Sequence, residues 1–259
     1  MIALVVVGAA GRMGRAVIET ARPDAVFQVK GCVDPAPRPP WAAELSWQGD
    51  LSGSLTAGDV VVEFGGPAAA ADAAARCAAA GAGLVSGSTG LTQDQQAAID
   101  RAAGQVAVLR AANFSLGVLA LRQALRAVLP LIADWDVEIV ERHHRLKKDS
   151  PSGTALHLAA DVDAARSSTG SSLRHGRDGS VGPRPASEIG VHAVRGGTWV
   201  GDHTVLLAGE GEWMEVRHVA QDRTAFAHGA LAAAKFVTTA GPGWYTMEDM
   251  LRAPGRAVR

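Results

Sequence analysis

The chain has few cysteines, almost no net charge and no long hydrophobic run, and each shortage excludes a class of protein. Cys32 and Cys77, its two cysteines, have neither the spacing of a metal site nor that of a disulfide framework, which favours a reducing compartment. A formal net charge of −1 predicts no general attraction to nucleic acid or to an anionic membrane. The apolar run from Ile2 stops at Gly8, which is too short for a signal peptide or a membrane span. We therefore expect a cytoplasmic protein with a small-molecule partner and no nucleic-acid or membrane partner.

The composition also limits the architecture and the metals. The 259 residues, 47% of them hydrophobic, suit two modest domains or one large domain with a sizeable core. No H-x-x-x-H pattern or Cys/His group indicates zinc, so no metal site is expected. His192, His203 and His218 alternate with apolar residues, and for each of them a packed, hydrogen-bonded histidine is the favoured interpretation.

The N-terminal stretch carries the pattern of a nucleotide-binding turn. Ile2 to Val7 is a continuous apolar run, as expected of a strand buried on both faces of a parallel sheet. A G-x-x-G-x-x-G sequence follows and leads into a helix, so backbone can approach a pyrophosphate at the helix start. The fingerprint is weak alone, but its position after the first strand favours nucleotide binding. The candidate contacts are Gly8, Ala9, Ala10, Gly11, Arg12 and Met13.

Asp34 is the residue from which a cofactor preference can be read. It ends a predicted strand, Gln28 to Val33, about 20 residues after the glycine turn, where a carboxylate would accept both ribose hydroxyls of NADH. Arg12 and Arg38 lie where a 2′-phosphate could be bound, so NADPH stays open and NADH is only favoured. The alternative is that Asp34 is an ordinary loop residue.

Three more strands are predicted in this half, and small residues follow them. The strands are Asp59–Phe64, Gly83–Ser86 and Val106–Leu109. Turn chemistry alone could explain any one loop, but ligands of open α/β sheets bind at the carboxyl ends of the strands, where all these loops lie. The additional cofactor candidates are Gly87, Ser88, Thr89, Ala111, Ala112, Asn113 and Phe114.

The second half changes in architecture. A buried helix is predicted from Leu116 to Ile132, a half-buried strand from Val137 to Glu141 and a long loop from Ser167 to Ser187. Short alternating segments between Ile189 and Ala220 predict an antiparallel or mixed sheet, and a helix from Phe226 to Thr238 follows.

The stretch from Val137 to Ala155 carries the chemistry. The strand delivers a cationic cluster, and Ser152-Gly153-Thr154 then opens an alanine-rich helix whose first backbone N–H groups can hold an anion. Imidazole and ammonium groups beside an anion site suggest that the protein binds a carboxylate and transfers a proton. A solvated, charge-rich strand end is the plainer alternative. The cationic residues are His143, His144, Arg145, Lys147 and Lys148.

Motifs along nearly the whole chain resemble those of the 4-hydroxy-tetrahydrodipicolinate reductase family, formerly called dihydrodipicolinate reductases, of lysine and diaminopimelate synthesis. The specific part is the HH-x-x-K…PSGT pattern, because the glycine fingerprint occurs in many dehydrogenases. The matching segments are GAAGRMG at Gly8–Gly14, GSTG at Gly87–Gly90, AANFSLGV at Ala111–Val118, ERHHRLKKDSPSGTA from Glu141, HGRDG at His175–Gly179, RGGTWVGDHTV at Arg195–Val205, QDRTAFAHGAL at Gln221–Leu231 and PGWYTMEDML near the end.

The resemblance implies a fold and a set of roles. It implies an α/β protein with a Rossmann-type domain at residues 1–113 plus 222–259 and an inserted α+β domain at residues 114–221 that binds substrate and assembles homotetramers. His143 and Lys147 take the proton-transfer positions. The implied substrate contacts are His144, Gly153, Thr154 and Arg223, for a small dicarboxylate, and the predicted anion site at the helix start adds Ser152.

Two departures from the family pattern and two rival functions stay open. The chain has Glu63-Phe64-Gly65 where the family has Asp-Phe-Thr or Asp-Phe-Ser, and Leu119 where it has Asn. One rival function is a related NAD(P)-dependent amino or imino acid dehydrogenase. The other is a non-catalytic NAD(H)-binding sensor.

Overall fold

The structure is a computed structural model that describes residues 1–53, 55–166 and 170–252. By its internal contacts the chain divides into two compact units, Gly117–Asp222 and the remainder, which joins Met1–Leu116 to the chain from Arg223 onward. Residues 253–259 of the predicted nucleotide domain and 167–169 of the predicted loop lie outside the described residues. No helix in the described part of the chain is long and apolar enough to cross a membrane.

Strands and helices alternate through the first 110 residues. The strands predicted at Ile2–Val7 and Gly83–Ser86 have those bounds, and the other predicted strands of this half differ by one residue at their ends. The elements are β1 (Ile2–Val7), α1 (Arg12–Ala21), β2 (Phe27–Val33), β3 (Trp47–Gln48), β4 (Val60–Glu63), α2 (Pro67–Ala80), β5 (Gly83–Ser86), α3 (Gln93–Ala103) and β6 (Ala107–Arg110), with a short 3₁₀ helix at Pro40–Ala42.

The middle of the chain holds two helices and five strands. The helix predicted from Leu116 to Ile132 ends at Val128, because Pro130 cannot continue it, and a 3₁₀ turn follows at Leu129–Leu131. Part of the predicted Ser167–Ser187 loop is a strand, which corrects that prediction. The elements are α4 (Leu116–Val128), β7 (Asp136–His143), α5 (Gly153–Ala165), β8 (Ser172–Arg174), β9 (Glu188–Arg195), β10 (Gly201–Ala208) and β11 (Trp213–Ala220).

The C-terminal segment returns to the first unit. It forms α6 (Thr224–Val237), β12 (Gly243–Tyr245) and α7 (Met247–Arg252). β12 pairs with β6, which completes a seven-stranded sheet in the order β12-β6-β5-β4-β1-β2-β3. Every pairing in this sheet is parallel, which confirms the predicted Rossmann-type domain.

Helices pack against both faces of the parallel sheet. Small side chains of α2 and α3, such as Ala70 and Cys77, form one core with strand residues such as Val61 and Leu84. α6 lies on the other face, where its Val237 packs against Gly83. Alanine-rich helices can approach a sheet closely, and continuous apolar strands need covering on both sides.

The second unit is a five-stranded mixed sheet in the order β11-β10-β7-β9-β8. β10 pairs antiparallel with β7 and β11, whereas β9 pairs parallel with β7 and β8, as the predicted antiparallel or mixed sheet allowed. Helices α4 and α5 cover the sheet face that carries Ile139, with Leu125 and Leu158 in the shared core. β7 is the central strand, so its side chains on this face lie under α5.

Candidate active site

The residues predicted to contact the cofactor all follow strands of the parallel sheet. They come after β1, β2, β5 and β6, and in a parallel sheet the carboxyl ends of the strands share one edge. The structure therefore brings Gly8–Met13, Asp34, Gly87–Thr89 and Ala111–Phe114 to the same edge of one unit.

The backbone around the turn between β1 and α1 is packed too closely for a side chain at Gly8 or Gly14. Gly8 has φ +77°, and a Cβ on it would lie 2.6 Å from the backbone of Phe64. A Cβ on Gly14 would lie 2.2 Å from the carbonyl oxygen of Gly8. No side chain among the described residues caps α1 at Gly11, so the helix start can receive an anion such as a pyrophosphate.

Asp34 is fixed against this turn. Its Oδ2 accepts a hydrogen bond from the backbone N–H of Ala10 at 3.0 Å, and its Oδ1 accepts one from Ala36 at 2.9 Å. Each oxygen keeps a second lone pair, which suits the ribose hydroxyls of the proposed cofactor. Arg12 and Arg38 are both exposed.

Glu63 is one of the residues at which the chain departs from the family pattern, and it connects two loops at the same edge of the sheet. It is fully buried, and its carboxylate accepts hydrogen bonds from the backbone of Gly65 and Gly66 at 2.6 and 3.1 Å. The hydroxyls of Ser86 and Ser88 each donate to it at 2.7 Å. The Ser88 side chain thus holds the loop together, and its exposed neighbour Thr89 is the freer group for a ligand.

The loop after β6 packs against Phe64 and helix α6. Phe114 is buried, and its ring meets Phe64 edge-on with centroids 5.7 Å apart. A Cβ on Gly229 of α6 would lie 1.6 Å from the carbonyl oxygen of Phe114, so the helix runs directly against this loop. The side chain of Asn113 accepts a hydrogen bond from the backbone of Ser115 at 2.8 Å, which shapes the turn into α4.

The proton-transfer candidate His143 lies at the end of β7 in the second unit. It is buried, and its Nδ1 lies 2.5 Å from Oε2 of Glu141, two residues earlier on the same strand face. Both guanidinium Nη atoms of Arg195 on β9 donate to Glu141 at 2.7 Å. Burial, the largest effect, raises the pKa of Glu141, but the hydrogen bonds from His143 and Arg195 outweigh it and lower the pKa to about 2. Glu141 is therefore a carboxylate at neutral pH.

The predicted anion site begins α5 and is attached to this cluster. Ser152 is the N-cap, and its Oγ accepts a hydrogen bond from the backbone of Ala155 at 3.2 Å. Its own backbone N–H donates to Glu141 at 2.9 Å, and its Oγ lies 3.1 Å from Nε2 of His203. Gly153, the first residue of the helix, is exposed, and Thr154 is half-buried. The helix start therefore lies beside His143.

Lys147 and His144 lie in the turn after β7. The ammonium group of Lys147 donates to both carboxylate oxygens of Asp149 at 2.8 and 2.7 Å. The backbone carbonyl of Asp149 accepts from Arg195 at 2.6 Å, which links the Lys147 turn to the Glu141 cluster. His144 is anchored through its backbone N–H, which donates to the carbonyl of Trp199 at 2.8 Å.

Arg223 belongs to the first unit, not to the one that holds the other substrate candidates. It lies at the start of α6, and neither Arg223 nor Arg12 forms an ion pair within residues 1–53, 55–166 and 170–252. Burial and the nearby charge of Arg12 lower the pKa of Arg223. Two like charges close together favour an anionic ligand between them.

Family models decide the family. The N-terminal model of dihydrodipicolinate reductase matches residues 2–114, and the C-terminal model of dihydrodipicolinate reductase matches residues 117–251. The chain belongs to the dihydrodipicolinate reductase family. Membership makes it a nicotinamide-dependent oxidoreductase, as the sequence predicted.

Curated relatives of this reductase align over almost the full length. The 4-hydroxy-tetrahydrodipicolinate reductase of Thermomicrobium roseum is 45% identical over 97% of this chain and 100% of its own length. The enzyme of the same name from Halorhodospira halophila is 41% identical over 95% of this chain and 97% of its own length.

Solved structures show the same fold. A dipicolinate-bound dihydrodipicolinate reductase from Paenisporosarcina superposes with a TM-score of 0.77 at 22% identity, covering 95% of this chain and 97% of that one. A DAP dehydrogenase of C. glutamicum in complex with DAP has a TM-score of 0.55 at 14% identity, covering 98% and 96%. At these identities the likeness concerns the fold alone.

Sequence reasoning missed three residues of the cluster around His143. Glu141, Arg195 and His203 lie on β7, β9 and β10, and strand pairing alone brings them together. His203 is buried and hydrogen-bonded, as predicted, but its partner Ser152 was not foreseen. Glu141 had left a signal, because it continues the apolar face of Val137 and Ile139, where a carboxylate needs a partner.

Proposed function

We propose that this reductase uses NADH or NADPH to convert 4-hydroxy-tetrahydrodipicolinate to tetrahydrodipicolinate in lysine and diaminopimelate biosynthesis. The observation that carries the proposal is the built acid–base cluster, in which buried His143 contacts the Glu141 carboxylate beside the start of α5. A passive surface would not bury an imidazole, a carboxylate and a helix N-cap together.

The edge of the parallel sheet fits a dinucleotide. The uncapped start of α1, the close-packed Gly8 and the anchored Asp34 are suited to a pyrophosphate and an adenosine ribose. When bound, the nicotinamide supplies the hydride. Asp34 favours NADH, and the exposed guanidinium groups of Arg12 and Arg38 leave NADPH as a second substrate.

The residues of the second unit supply the proton and bind the dicarboxylate. Hydride addition to the unsaturated ring, formed as the 4-hydroxyl group leaves as water, creates negative charge that must be stabilised and then protonated. His143 and Lys147 carry groups that are suited to both tasks, and positioned acid catalysis contributes about 10²- to 10⁴-fold.

Two types of anion contact suit the two carboxylates of the substrate. In the second unit, Ser152, Gly153, Thr154 and His144 are suited to bind a carboxylate at the start of α5. In the first unit, the guanidinium group of Arg223 is suited to bind a carboxylate in a different way.

A tetrameric, cytoplasmic enzyme is part of the proposal. β11 is an edge strand of the mixed sheet and exposes large apolar side chains. Trp213 is 66% exposed and Val219 49%. This edge is suited to a contact between subunits, which sedimentation of the purified protein would measure.

One assay separates the three candidate functions. The purified chain is mixed with NADH and freshly generated 4-hydroxy-tetrahydrodipicolinate, and the nicotinamide absorbance is followed. The reductase consumes NADH with this substrate. An amino or imino acid dehydrogenase consumes it only with another substrate, and a sensor binds it without turnover. Titration with pyridine-2,6-dicarboxylate is a simpler test of the anion site alone, and a chain that does not bind it has no dicarboxylate site.

A further inference from the structure

Glu141 is the most connected side chain of the His143 cluster. Its carboxylate is inaccessible to solvent and has partners on two other elements of the unit, besides His143 on its own strand. Arg195 donates twice from β9, Ser152 donates its backbone N–H from the start of α5, and Arg195 also reaches the turn that holds Lys147. One carboxylate thus sets the position of the imidazole relative to the helix start.

The contact between Glu141 and His143 selects a nitrogen. A carboxylate is only an acceptor, so the ring nitrogen 2.5 Å from it, Nδ1, must carry a hydrogen. Nε2 is then the nitrogen that gains or loses a proton. It lies near Gly201, where a Cβ would be 3.3 Å away, so a larger residue at this position would crowd Nε2.

Arg195 balances the charge of Glu141. An uncompensated carboxylate beside an imidazolium would hold the proton too firmly for transfer, because opposite charges within hydrogen-bond distance stabilise each other strongly in a buried site. The bidentate guanidinium group cancels most of that charge.

The other titratable groups near His143 lie on β10 and in the turn after β7. His203 on β10 meets the His143 ring edge-on with centroids 5.1 Å apart, and burial lowers its pKa to about 4, so it is neutral. Lys147 and Asp149 in the turn after β7 pair with each other. The charge balance at His143 is therefore set mainly by Glu141 and Arg195.

We propose that Glu141 and Arg195 are positioning residues for proton transfer, Glu141 by fixing the His143 tautomer in which Nε2 is the nitrogen that transfers the proton, and Arg195 by neutralising Glu141. The inference rests on the proposed function, in which His143 supplies the proton. It adds that the same carboxylate aligns the substrate-binding helix start with the acid.

Two variants with opposite charge changes test the inference. Glu141→Gln leaves the charge of Arg195 uncompensated, so kcat should fall at least about 10-fold. The alkaline limb of the plot of kcat against pH should move to lower pH by about one unit. Arg195→Met leaves Glu141 uncompensated, so the limb should move to higher pH, and the double variant should return it close to the wild-type position. The KM for NADH should stay unchanged in all three.

Glu138→Gln is the matched control. Glu138 lies on the same strand, also carries arginine partners and has its pKa lowered to about 2, but it contacts Arg177, Arg184 and His192 on the opposite strand face. Loss of the Glu138 charge should lower the stability of the fold without moving the plot of kcat against pH. Shifts in one direction for both Glu141→Gln and Arg195→Met, or no shift in either, would overturn the inference.

Nitrogen chemical shifts of His143 in the wild-type protein give a readout that needs neither turnover nor a folded variant. The inference predicts that the neutral ring carries its hydrogen on Nδ1. A neutral ring that carries its hydrogen on Nε2 contradicts it even if the enzyme is active. If the wild type does not reduce the substrate but Nδ1 is protonated, the proposed function fails and the tautomer assignment stands.

Discussion

Releasing Lys147 from Asp149 should tighten substrate binding by a small, calculable amount. In the structure both carboxylate oxygens of Asp149 accept from the ammonium group, so the substrate must compete with Asp149 for it. The Asp149 side chain is 60% exposed and that of Lys147 20%, and such solvent-exposed pairs are worth about 1 kcal/mol at most, or about a 5-fold change in binding.

The perturbation is Asp149→Asn, which keeps the shape of the side chain and removes its charge. KM for 4-hydroxy-tetrahydrodipicolinate should fall by no more than about 5-fold at low ionic strength, and the gain should fade as salt screens the ammonium group. Steady-state kinetics with NADH at two salt concentrations measures both effects. A rise in KM would show that Asp149 orients Lys147 productively and would refute the competition.

The complementary change, Lys147→Ala, should act on the chemical step. Losing the ammonium group should lower kcat by about 10²- to 10⁴-fold and leave the dissociation constant of NADH unchanged. Lys148→Ala is the matched control, because Lys148 is exposed and has no ion pair within the described chain. Equal losses in turnover and in NADH affinity would show that Lys147 does not act as the acid.

Three further predictions concern His203, Glu63 and the loop that contains Gly87. Burial and the neighbouring His143 lower the pKa of His203 from 6.5 to about 4, so protonation of His203 favours unfolding. Up to about 3 kcal/mol of stability should therefore be lost as the pH falls from 6.5 to 4. Urea denaturation of His203→Gln should lack this dependence of stability on pH, and the same dependence in wild type and variant would contradict the assignment. Glu63→Ala leaves several buried donors unsatisfied and should cost about 3 kcal/mol or more in the same measurement, whereas a loss below 1 kcal/mol would show that water replaces the carboxylate. Gly87→Ala places a Cβ 2.1 Å from the Phe64 ring and should weaken NADH binding at least several-fold in a fluorescence titration. Gly49→Ala is the control, because its Cβ meets nothing within 4 Å, and it should not weaken binding. Equal affinities of the two variants would show that the loop adjusts freely.

Local patterns were enough to predict most of the parallel sheet. Continuous apolar runs bounded by glycine define its strands, and the strand at Gly83–Ser86 came out with the correct ends. Helix α3 was not predicted, although Thr92 and Gln95 form a capping box that marks its start. β8 and β12 have only three residues each, and such strands exist only because a neighbouring strand pairs with them.

The candidate site was predictable where it is local in sequence. His143 and Ser152 are nine positions apart, and a strand followed by a helix start brings them together. Arg195 could not be found in this way, because its contact with Glu141 depends on the parallel pairing of β7 with β9. Long-range strand register is fixed by the packed fold and leaves little trace in a single sequence.

Oxidation of NADH by the purified chain on addition of 4-hydroxy-tetrahydrodipicolinate, compared between the wild type and His143→Asn, tests the central claim most directly. The account predicts rapid oxidation by the wild type and a fall of about 10²-fold or more in kcat for the variant, with NADH affinity preserved. Undiminished turnover by His143→Asn would contradict it, because proton transfer would then not depend on the cluster around Glu141.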